Sequence, residues 1–239
     1  MDGDEVHRVR RVFLELLPKR QDMGIDRARG RIRIVAPDLA QQLARKDPRV
    51  VPILSSELPG LAGDGKFIGM SLEPEPCLYV SVDDDIAYPP DYVARLRAGL
   101  RAWSQRAVVG FHGSILHRPL ESYRKDRTKF SLDSRLNSRR VVDVLGCGTV
   151  MFDTAFLNFD VRGWPQVNKN DLYLAIEATR AGLPLVCLAR EKHFLRPLET
   201  EQPDSIFAAL KRDDSQETML ALELQALQGQ HGLCRGGSL

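Results

Sequence analysis

Three consecutive aspartates, Asp83, Asp84 and Asp85, follow the apolar segment CLYVSV (77–82). That segment is too continuously apolar for a half-exposed strand, so it predicts a strand buried on both faces, as in a mainly parallel sheet. In open α/β sheets, ligands bind beyond the carboxyl ends of the strands, where these aspartates must lie. An extended backbone would place Asp83 and Asp85 on one side and Asp84 on the other.

Two carboxylates on one side of a strand end are suited to binding a divalent cation. At a separation of roughly 6 Å and an effective dielectric near 20 they repel each other by about 3 kcal/mol, and a cation removes that cost. Hard oxygen ligands suit Mg²⁺ or Mn²⁺, which then bind diphosphate oxygens as further ligands. The alternative is a solvated acidic turn before the next helix, which the helix dipole favours.

The elements that must position these residues alternate between strands and helices. This alternation predicts a three-layer α/β fold with a mainly parallel central sheet. A proline-started helix follows the aspartates, and a glycine ends the helix that begins near residue 170. The predicted strands are 31–35, 49–54, 77–82, 107–113, 141–146, 148–153 and 183–189, the predicted helices are 6–17, 37–46, 89–103, 170–181 and 204–228, and the predicted loops are 55–70, 117–140 and 161–169.

Composition narrows the class of protein. The 239 residues suffice for one main domain over 1–200, with a C-terminal helix and flexible tail over 201–239. A formal net charge of +2 does not suggest a nucleic-acid partner. Four widely spaced cysteines favour neither a zinc site nor a disulfide framework, which fits the reducing cytoplasm. No apolar run approaches the roughly 20 residues of a membrane span, although a peripheral membrane position stays open.

The segment YVSVDDDIAYPPDYVARL resembles the region around the Asp-x-Asp motif of GT-A glycosyltransferases, particularly bacterial enzymes of the large family-two group. The similarity covers about 50–190, and four further segments come in the order of such enzymes: GDGKF, VVGFHG, VDVLGCGTVMF and NDLYLAIEATRAGLPLVCLAR. The resemblance implies a GT-A fold, a nucleotide-diphosphosugar donor, Mn²⁺ or Mg²⁺ bridging the motif to the diphosphate, and transfer to an acceptor hydroxyl, with inversion. The acceptor would be a glycan, a lipid-linked molecule or a small molecule.

The same resemblance distributes roles over individual residues. The donor side would comprise Asp64, Lys66, Asp83, Asp84 and Arg127. A lysine offsets phosphate charge as a point cation, and Arg127 belongs to a basic loop that would close over the diphosphate. Asp83, Asp85 and His193 would form the metal shell. The alternatives are a glycine-rich surface turn at 63–67, a solvated basic loop and an ordinary surface histidine.

The acceptor side would be formed around Asp171, which matches the general base of similar inverting enzymes. A helix N-terminus is a rigid place from which to aim such a base, although aspartate in a first turn also stabilises the helix dipole. The usual Glu-Asp pair stands here as Asn170-Asp171. His112, Gly148 and Thr149 would line the acceptor side, or else they only pack at strand ends.

One departure from the resemblance concerns the start of the chain. GT-A domains of this type open with a strand and a loop that hold the nucleotide, whereas the spacing at 6–17 predicts a charged amphipathic helix. The first strand is therefore expected to be missing, and a partner chain or second copy would cover the exposed sheet edge. Two alternative functions follow: a non-catalytic or truncated relative that binds sugars or a partner, and a nucleotidyltransferase, which requires a phosphate-binding loop after a first strand.

Overall fold

The computed structural model describes residues 12–16, 50–54, 60–198 apart from 74 and 84, 210 and 212–230, with backbone only for the first two ranges. Its strands are β1 (Val12–Leu16), β2 (Val50–Leu54), β3 (Leu78–Val82), β4 (Ile86–Ala87), β5 (Val108–Gly110), β6 (Gly113–Leu116), β7 (Arg127–Phe130), β8 (Arg140–Val142), β9 (Val144–Leu145), β10 (Thr149–Asp153), β11 (Leu185–Cys187) and β12 (Arg196–Pro197). Its α-helices are α1 (Gly69–Leu72), α2 (Tyr92–Arg101), α3 (Asn170–Arg180) and α4 (Ser215–Gln230), and 3-10 helices span Ala62–Phe67 and Val161–Gly163.

The central sheet has five strands in the order β3-β10-β5-β11-β8. Only β5 and β11 pair in parallel, whereas β10 is antiparallel to both β3 and β5, and β8 is antiparallel to β11. The α/β class is confirmed, but the predicted mainly parallel pairing is wrong because β8 and β10 run against the other three strands. Strands β3, β5 and β11 still run in one direction, so their carboxyl ends meet the amino ends of β8 and β10 at one edge.

Hydrophobic side chains cover both faces of this sheet. Val108, Val150 and Leu185 belong to one buried cluster with the apolar face of α3. Val109 and Met151, which are next to them in sequence, belong to a second cluster with α2. Alternate residues of a strand point to opposite faces, so helices pack on both sides of the sheet. Strand β3 lies at the edge, and its Val82 is 45% exposed, so the prediction that β3 is buried on both faces is wrong.

The beginning of the chain differs from its prediction. Residues Val12–Leu16 form a strand that pairs in parallel with Val50–Leu54, residue 12 opposite residue 50. The helix predicted over 6–17 is therefore wrong across this segment. Because β1 and β2 form a two-stranded sheet of their own, the expected absence of a first strand from the central sheet stays a prediction. The apolar spacing of the segment VFLEL fits either structure, and the available partner strand decides between them. The predicted strand 31–35 and helix 37–46 lie outside the described residues.

Two regions predicted as loops contain regular structure. The segment predicted as a glycine-rich loop over 55–70 includes the 3-10 helix Ala62–Phe67 and the start of α1. The basic segment 117–140 includes β7, which pairs with β6 in a three-stranded sheet of order β7-β6-β9. The helix predictions at α2 and α3 are confirmed, and Gly182 follows the end of α3 with φ +68°.

Helix α4 packs against α3. Its Leu220, Ala221 and Leu224 are buried in the same cluster as the apolar residues of α3, and its Glu217 accepts a hydrogen bond from the Lys169 ammonium. Both charged side chains are at least 85% buried. In the described part of the chain, no helix has the length and apolar character that a membrane crossing requires.

Candidate functional site

Asp83 lies immediately after β3 and is held by two other segments. The Lys66 ammonium, on the 3-10 helix Ala62–Phe67, donates a hydrogen bond to Asp83 Oδ1. The Asp83 backbone N–H donates to Tyr88 Oη at 2.8 Å, and the Tyr88 hydroxyl donates to the carbonyl of Gly148 at 2.7 Å. Burial alone would lower the pKa of Lys66, but the Asp83 carboxylate raises it above its ordinary value. The lysine is therefore protonated at physiological pH.

Gly148 lies directly against the Asp83 carboxylate. Thr149 pairs with Val82 in the antiparallel register of β10 and β3, which brings the residue before β10 beside the residue after β3. A Cβ atom at position 148 would lie 1.9 Å from Asp83 Oδ2, far inside van der Waals contact. A side chain at this position is therefore sterically excluded unless Asp83 moves. The structure places Gly148 beside the donor-side aspartate, and its predicted role toward the acceptor stays a prediction.

Asp171 lies in the first turn of α3, and its carboxylate contacts the loop before β10. Its Oδ1 accepts a hydrogen bond from the backbone N–H of Cys147 at 2.8 Å, and the Cys147 thiol also bonds the carboxylate. Desolvation raises the pKa of Asp171, and the nearby Lys66 acts in the opposite direction. Asp83 interacts electrostatically with both Lys66 and Asp171. The predicted base Asp171 and two of the predicted donor residues, Lys66 and Asp83, thus lie in one cluster.

Asp64 is buried, with only 2% of its surface exposed. Its Oδ2 accepts the backbone N–H of Asn168 at 3.1 Å, while its Oδ1 is shielded from solvent and has no hydrogen-bond partner in the described region. Desolvation raises the pKa of Asp64 to about 6. Two further bonds, Gly63 N–H to Asn168 Oδ1 at 2.9 Å and Asn170 Nδ2 to the Gly63 carbonyl at 3.0 Å, hold the same turn. Asp64 thereby fixes the segment that leads to Asp171, and direct contact with the nucleotide stays a prediction.

Thr149 and His112 lie together on the predicted acceptor side. Thr149 Oγ1 accepts the backbone N–H groups of Phe111 and His112 at 3.2 and 3.1 Å and donates to the Gly146 carbonyl at 3.1 Å. Thr149 is therefore engaged in backbone contacts. Burial lowers the pKa of His112 to about 3, with further contributions from three basic residues, so the ring is neutral at physiological pH.

The remaining predicted residues are less closely joined to this cluster. The Arg127 guanidinium lies 4.0 Å above the ring of Tyr123. His193 is exposed, with φ +61°, and its backbone N–H donates to the Asp133 carbonyl at 2.7 Å. The segment that follows His193 runs beside Asp85. There β12 pairs with β4, and the Leu198 N–H donates to the Asp85 carbonyl at 2.7 Å. Asp84 lies outside the described residues.

Asp83 and Asp85, at the end of β3, are the predicted ligands of a divalent cation. Among the described residues no group of three ligating side chains lies close enough to hold a metal by itself. A Mg²⁺ site that also binds phosphates uses only one or two protein carboxylates, and Asp83 and Asp85 supply that number. The Lys66 ammonium already engages Oδ1 of Asp83, so a cation at Asp83 would share that carboxylate with Lys66, and the metal assignment stays a prediction.

Several residues of this site were missed in the sequence. Cys147 stands in the segment GCGT, but only the folded chain shows that it contacts Asp171. Asn168 has φ +62°, a conformation in which asparagine is enriched, so its place before a helix was a usable signal. Tyr88 and Tyr123 gave no local signal, since each also contacts a residue that is distant in the chain, Gly148 and Thr218 respectively.

A search against descriptions of known protein families found no match, and a search of curated proteins found no significant match. The chemistry of the cluster is therefore inferred from its own residues.

Proposed function

We propose that the chain is a metal-dependent glycosyltransferase of the GT-A type that transfers a sugar from a nucleotide-diphosphosugar to an acceptor hydroxyl with inversion. The observation that carries the proposal is a chain of contacts between separate segments: Lys66 pairs with Asp83, Gly148 lies against the Asp83 carboxylate, and the preceding Cys147 donates to Asp171. Their meeting place, at the carboxyl end of β3 and the amino ends of β10 and α3, is where α/β sheets bind ligands.

The donor diphosphate would bind between Lys66 and the two aspartates after β3. The Lys66 ammonium offsets phosphate charge, and Asp85 with Asp83 would hold Mn²⁺ or Mg²⁺. When bound, the cation neutralises charge that develops on the departing nucleoside diphosphate. In the free protein Asp83 takes the place of the phosphate as the partner of Lys66.

Asp171 would accept the proton of the attacking hydroxyl. A general base works best when its pKa lies near the working pH, and desolvation moves the pKa of Asp171 in that direction. The backbone of Cys147 fixes the orientation of the carboxylate. Direct attack by the activated hydroxyl, on the face of the sugar opposite the diphosphate, gives inversion.

The non-catalytic alternative relied on a missing first strand. Val12–Leu16 forms a strand beside Val50–Leu54, but these two strands form a sheet of their own, so the binding and transfer experiments below must separate this alternative from the proposal. The nucleotidyltransferase alternative gains no support from the contacts of the cluster.

The test combines donor binding with transfer in two variants. Nucleotide sugars with uridine, guanosine, thymidine and cytidine bases are titrated with and without Mn²⁺, using calorimetry and thermal unfolding. Asp85→Ala is expected to abolish metal-dependent binding, whereas Asp171→Asn is expected to keep binding and to lower transfer by about 10²–10⁴-fold. Asp91→Asn, an exposed aspartate at the start of α2, serves as the control.

Three results would contradict parts of the proposal. Unchanged metal-dependent binding in Asp85→Ala removes the metal assignment. Full transfer by Asp171→Asn removes the base assignment. If no nucleotide sugar raises the unfolding temperature at any Mn²⁺ concentration, the non-catalytic alternative is correct.

A further inference from the structure

A basic surface lies beside the candidate base. In the antiparallel pair of β6 and β7, Ser114 stands opposite Lys129 and Leu116 stands opposite Arg127. Directly opposite residues project to the same face of a sheet, and His112 lies two residues before Ser114, so it belongs to that face. Lys129 and Arg127 both contribute to the lowered pKa of His112, which agrees with this placement. We call His112, Ser114, Arg127 and Lys129 the β7 face.

The guanidinium of the β7 face is held in place before any ligand binds. Arg127 stacks on the ring of Tyr123, which is only 4% exposed. The Tyr123 hydroxyl bonds Ser114, and its backbone N–H donates to Thr218 Oγ1 of α4 at 3.0 Å. A planar guanidinium held in this way presents paired donors to a carboxylate or phosphate and loses little side-chain freedom on binding.

The charges around this face are mainly positive. Arg190, which is 3% exposed, also acts on His112, and its guanidinium donates to backbone carbonyls of Phe130 and Leu132. Among the described residues, no ion pair joins Arg127 or Arg190 to a carboxylate. The nearby Glu217 is already paired with Lys169. Two guanidinium groups therefore contribute positive charge that no described carboxylate partner balances.

Two observations connect the β7 face to the proposed acceptor site beside Asp171. The His112 carbonyl accepts the Gly146 N–H at 2.9 Å, and the next residue, Cys147, donates its N–H to Asp171 at 2.8 Å, so the β7 face lies close to the candidate base. The Nδ1 atom of His112 is shielded from solvent and has no hydrogen-bond partner within the described part of the chain. A buried polar atom of this kind is normally satisfied, and a bound hydroxyl group would satisfy it.

We infer that the acceptor carries an anionic group, either a phosphate or a carboxylate, which Arg127 and Lys129 bind while the acceptor hydroxyl meets Asp171. The position of the hydroxyl rests on the proposed function, whereas the anion site rests on the β7 face itself. This assigns Arg127 to the acceptor and not to a lid over the donor diphosphate.

Binding of three small sugars to the full chain tests the inference. Glucose is the neutral probe, glucuronate the carboxylate probe and glucose 6-phosphate the phosphate probe, each titrated by calorimetry with and without UDP and Mg²⁺ to occupy the donor side. At least one anionic sugar is expected to bind more tightly than glucose by about tenfold. The stronger of the two identifies the anion, and added salt should weaken its binding.

Variants locate the site. Lys129→Gln and Arg127→Gln are each expected to remove most of the preference for the anionic sugar and to leave glucose binding unchanged. Arg101→Gln removes the same charge from an exposed position on α2 and should leave the preference intact. Because Arg127 packs on Tyr123, thermal unfolding is measured for each variant, and only variants that unfold at the temperature of the unchanged protein are compared.

The outcomes separate this inference from the proposed function. Equal binding of all three sugars, or an unchanged preference in both β7-face variants, overturns the inference. A loss of nucleotide-sugar binding in Arg127→Gln and Lys129→Gln, with the anionic preference intact, also overturns it in favour of the diphosphate lid. If anionic sugars bind through the β7 face while no nucleotide sugar binds with or without metal, the anion site stands and the glycosyltransferase proposal fails.

Discussion

The Asp83 carboxylate has room in its observed position because the residue beside it, Gly148, has no side chain. A Cβ atom at position 148 would lie 1.9 Å from Asp83 Oδ2, and Asp83 also contacts Lys66 and Tyr88. Gly148→Ala would therefore displace the carboxylate on which donor binding is proposed to depend.

We expect Gly148→Ala to lower the free energy of unfolding by about 1–3 kcal/mol, as overpacking does, and to weaken metal-dependent nucleotide-sugar binding. Urea denaturation and calorimetry measure the two effects. Gly163→Ala is the matched control, because a Cβ at that position meets nothing within 4 Å, and its stability should change by no more than about 0.5 kcal/mol. Equal behaviour of the two variants would show that Asp83 accommodates a side chain beside it.

The buried Asp64 makes stability depend on pH. Burial raises its pKa from 3.8 to about 6 in the folded protein, so between these values the folded state binds the proton more tightly than the unfolded state does. Its ionisation therefore lowers the free energy of unfolding as the pH rises from about 4 to about 6, by about 3 kcal/mol in total.

Asp64→Asn removes this ionisation and keeps an oxygen that accepts the Asn168 N–H. The free energy of unfolding of Asp64→Asn, minus that of the unchanged protein, is expected to increase as the pH rises from 4 to 7, as measured by urea denaturation at several pH values. In the control Asp160→Asn the difference is expected to change little between pH 4 and 7, because hydrogen bonds from Arg162 lower the pKa of Asp160 below its ordinary value of 3.8 and its ionisation falls outside this range. A pH-independent difference for Asp64→Asn would mean that Asp64 titrates normally.

At the scale of elements, α4 is part of the packed body of the protein. The sequence predicted a helix and tail over 201–239 beside a main domain over 1–200, yet Leu220 and Leu224 of α4 are buried in the cluster that includes α3. Helix α4 also fixes the loop before β7, because Asp214 and Thr218 accept hydrogen bonds from Ser122 and Tyr123. Residues near the C-terminus thus support the β7 face.

Two leucines of α4 that lie two residues apart test this packing. Leu224 is fully buried and Leu222 is 46% exposed. We expect Leu224→Ala to lower the free energy of unfolding by about 2–5 kcal/mol, and Leu222→Ala to change it by no more than about 0.5 kcal/mol. Chemical denaturation measures both. Similar small losses in the two variants would mean that α4 is an appendage that folds without contributing to the core.

Other elements show how far local patterns extend. The amphipathic spacing and terminal residues of α2 and α3 predicted both helices. The apolar residues that pack on the sheet recur at helical spacing, which can be seen in the sequence alone. The same rule predicted a helix at 6–17, where Val12–Leu16 is a strand. Short apolar segments satisfy both periodicities, and the presence of a partner strand 38 residues later is not visible locally.

At the scale of the whole molecule, strand direction differs most from expectation. Strands β3, β5 and β11 run one way, as predicted for ligand-binding α/β sheets, but β10 inserts between β3 and β5 in the opposite direction. This reversal places the amino end of β10, with Gly148, beside the carboxyl end of β3, with Asp83. The candidate site is therefore built across an antiparallel pair.

The amino-acid sequence by itself determined the α/β class and the helices α2 and α3, and it supplied the prediction that the aspartates and Lys66 bind a metal and a diphosphate. These features depend on residue type and local periodicity, which can be seen in the order of residues. Only the tertiary structure decided that Cys147 holds Asp171, that Gly148 makes room for Asp83, and that Arg127 lies on the β7 face. These contacts join residues far apart in the chain, and their geometry depends on strand order and register.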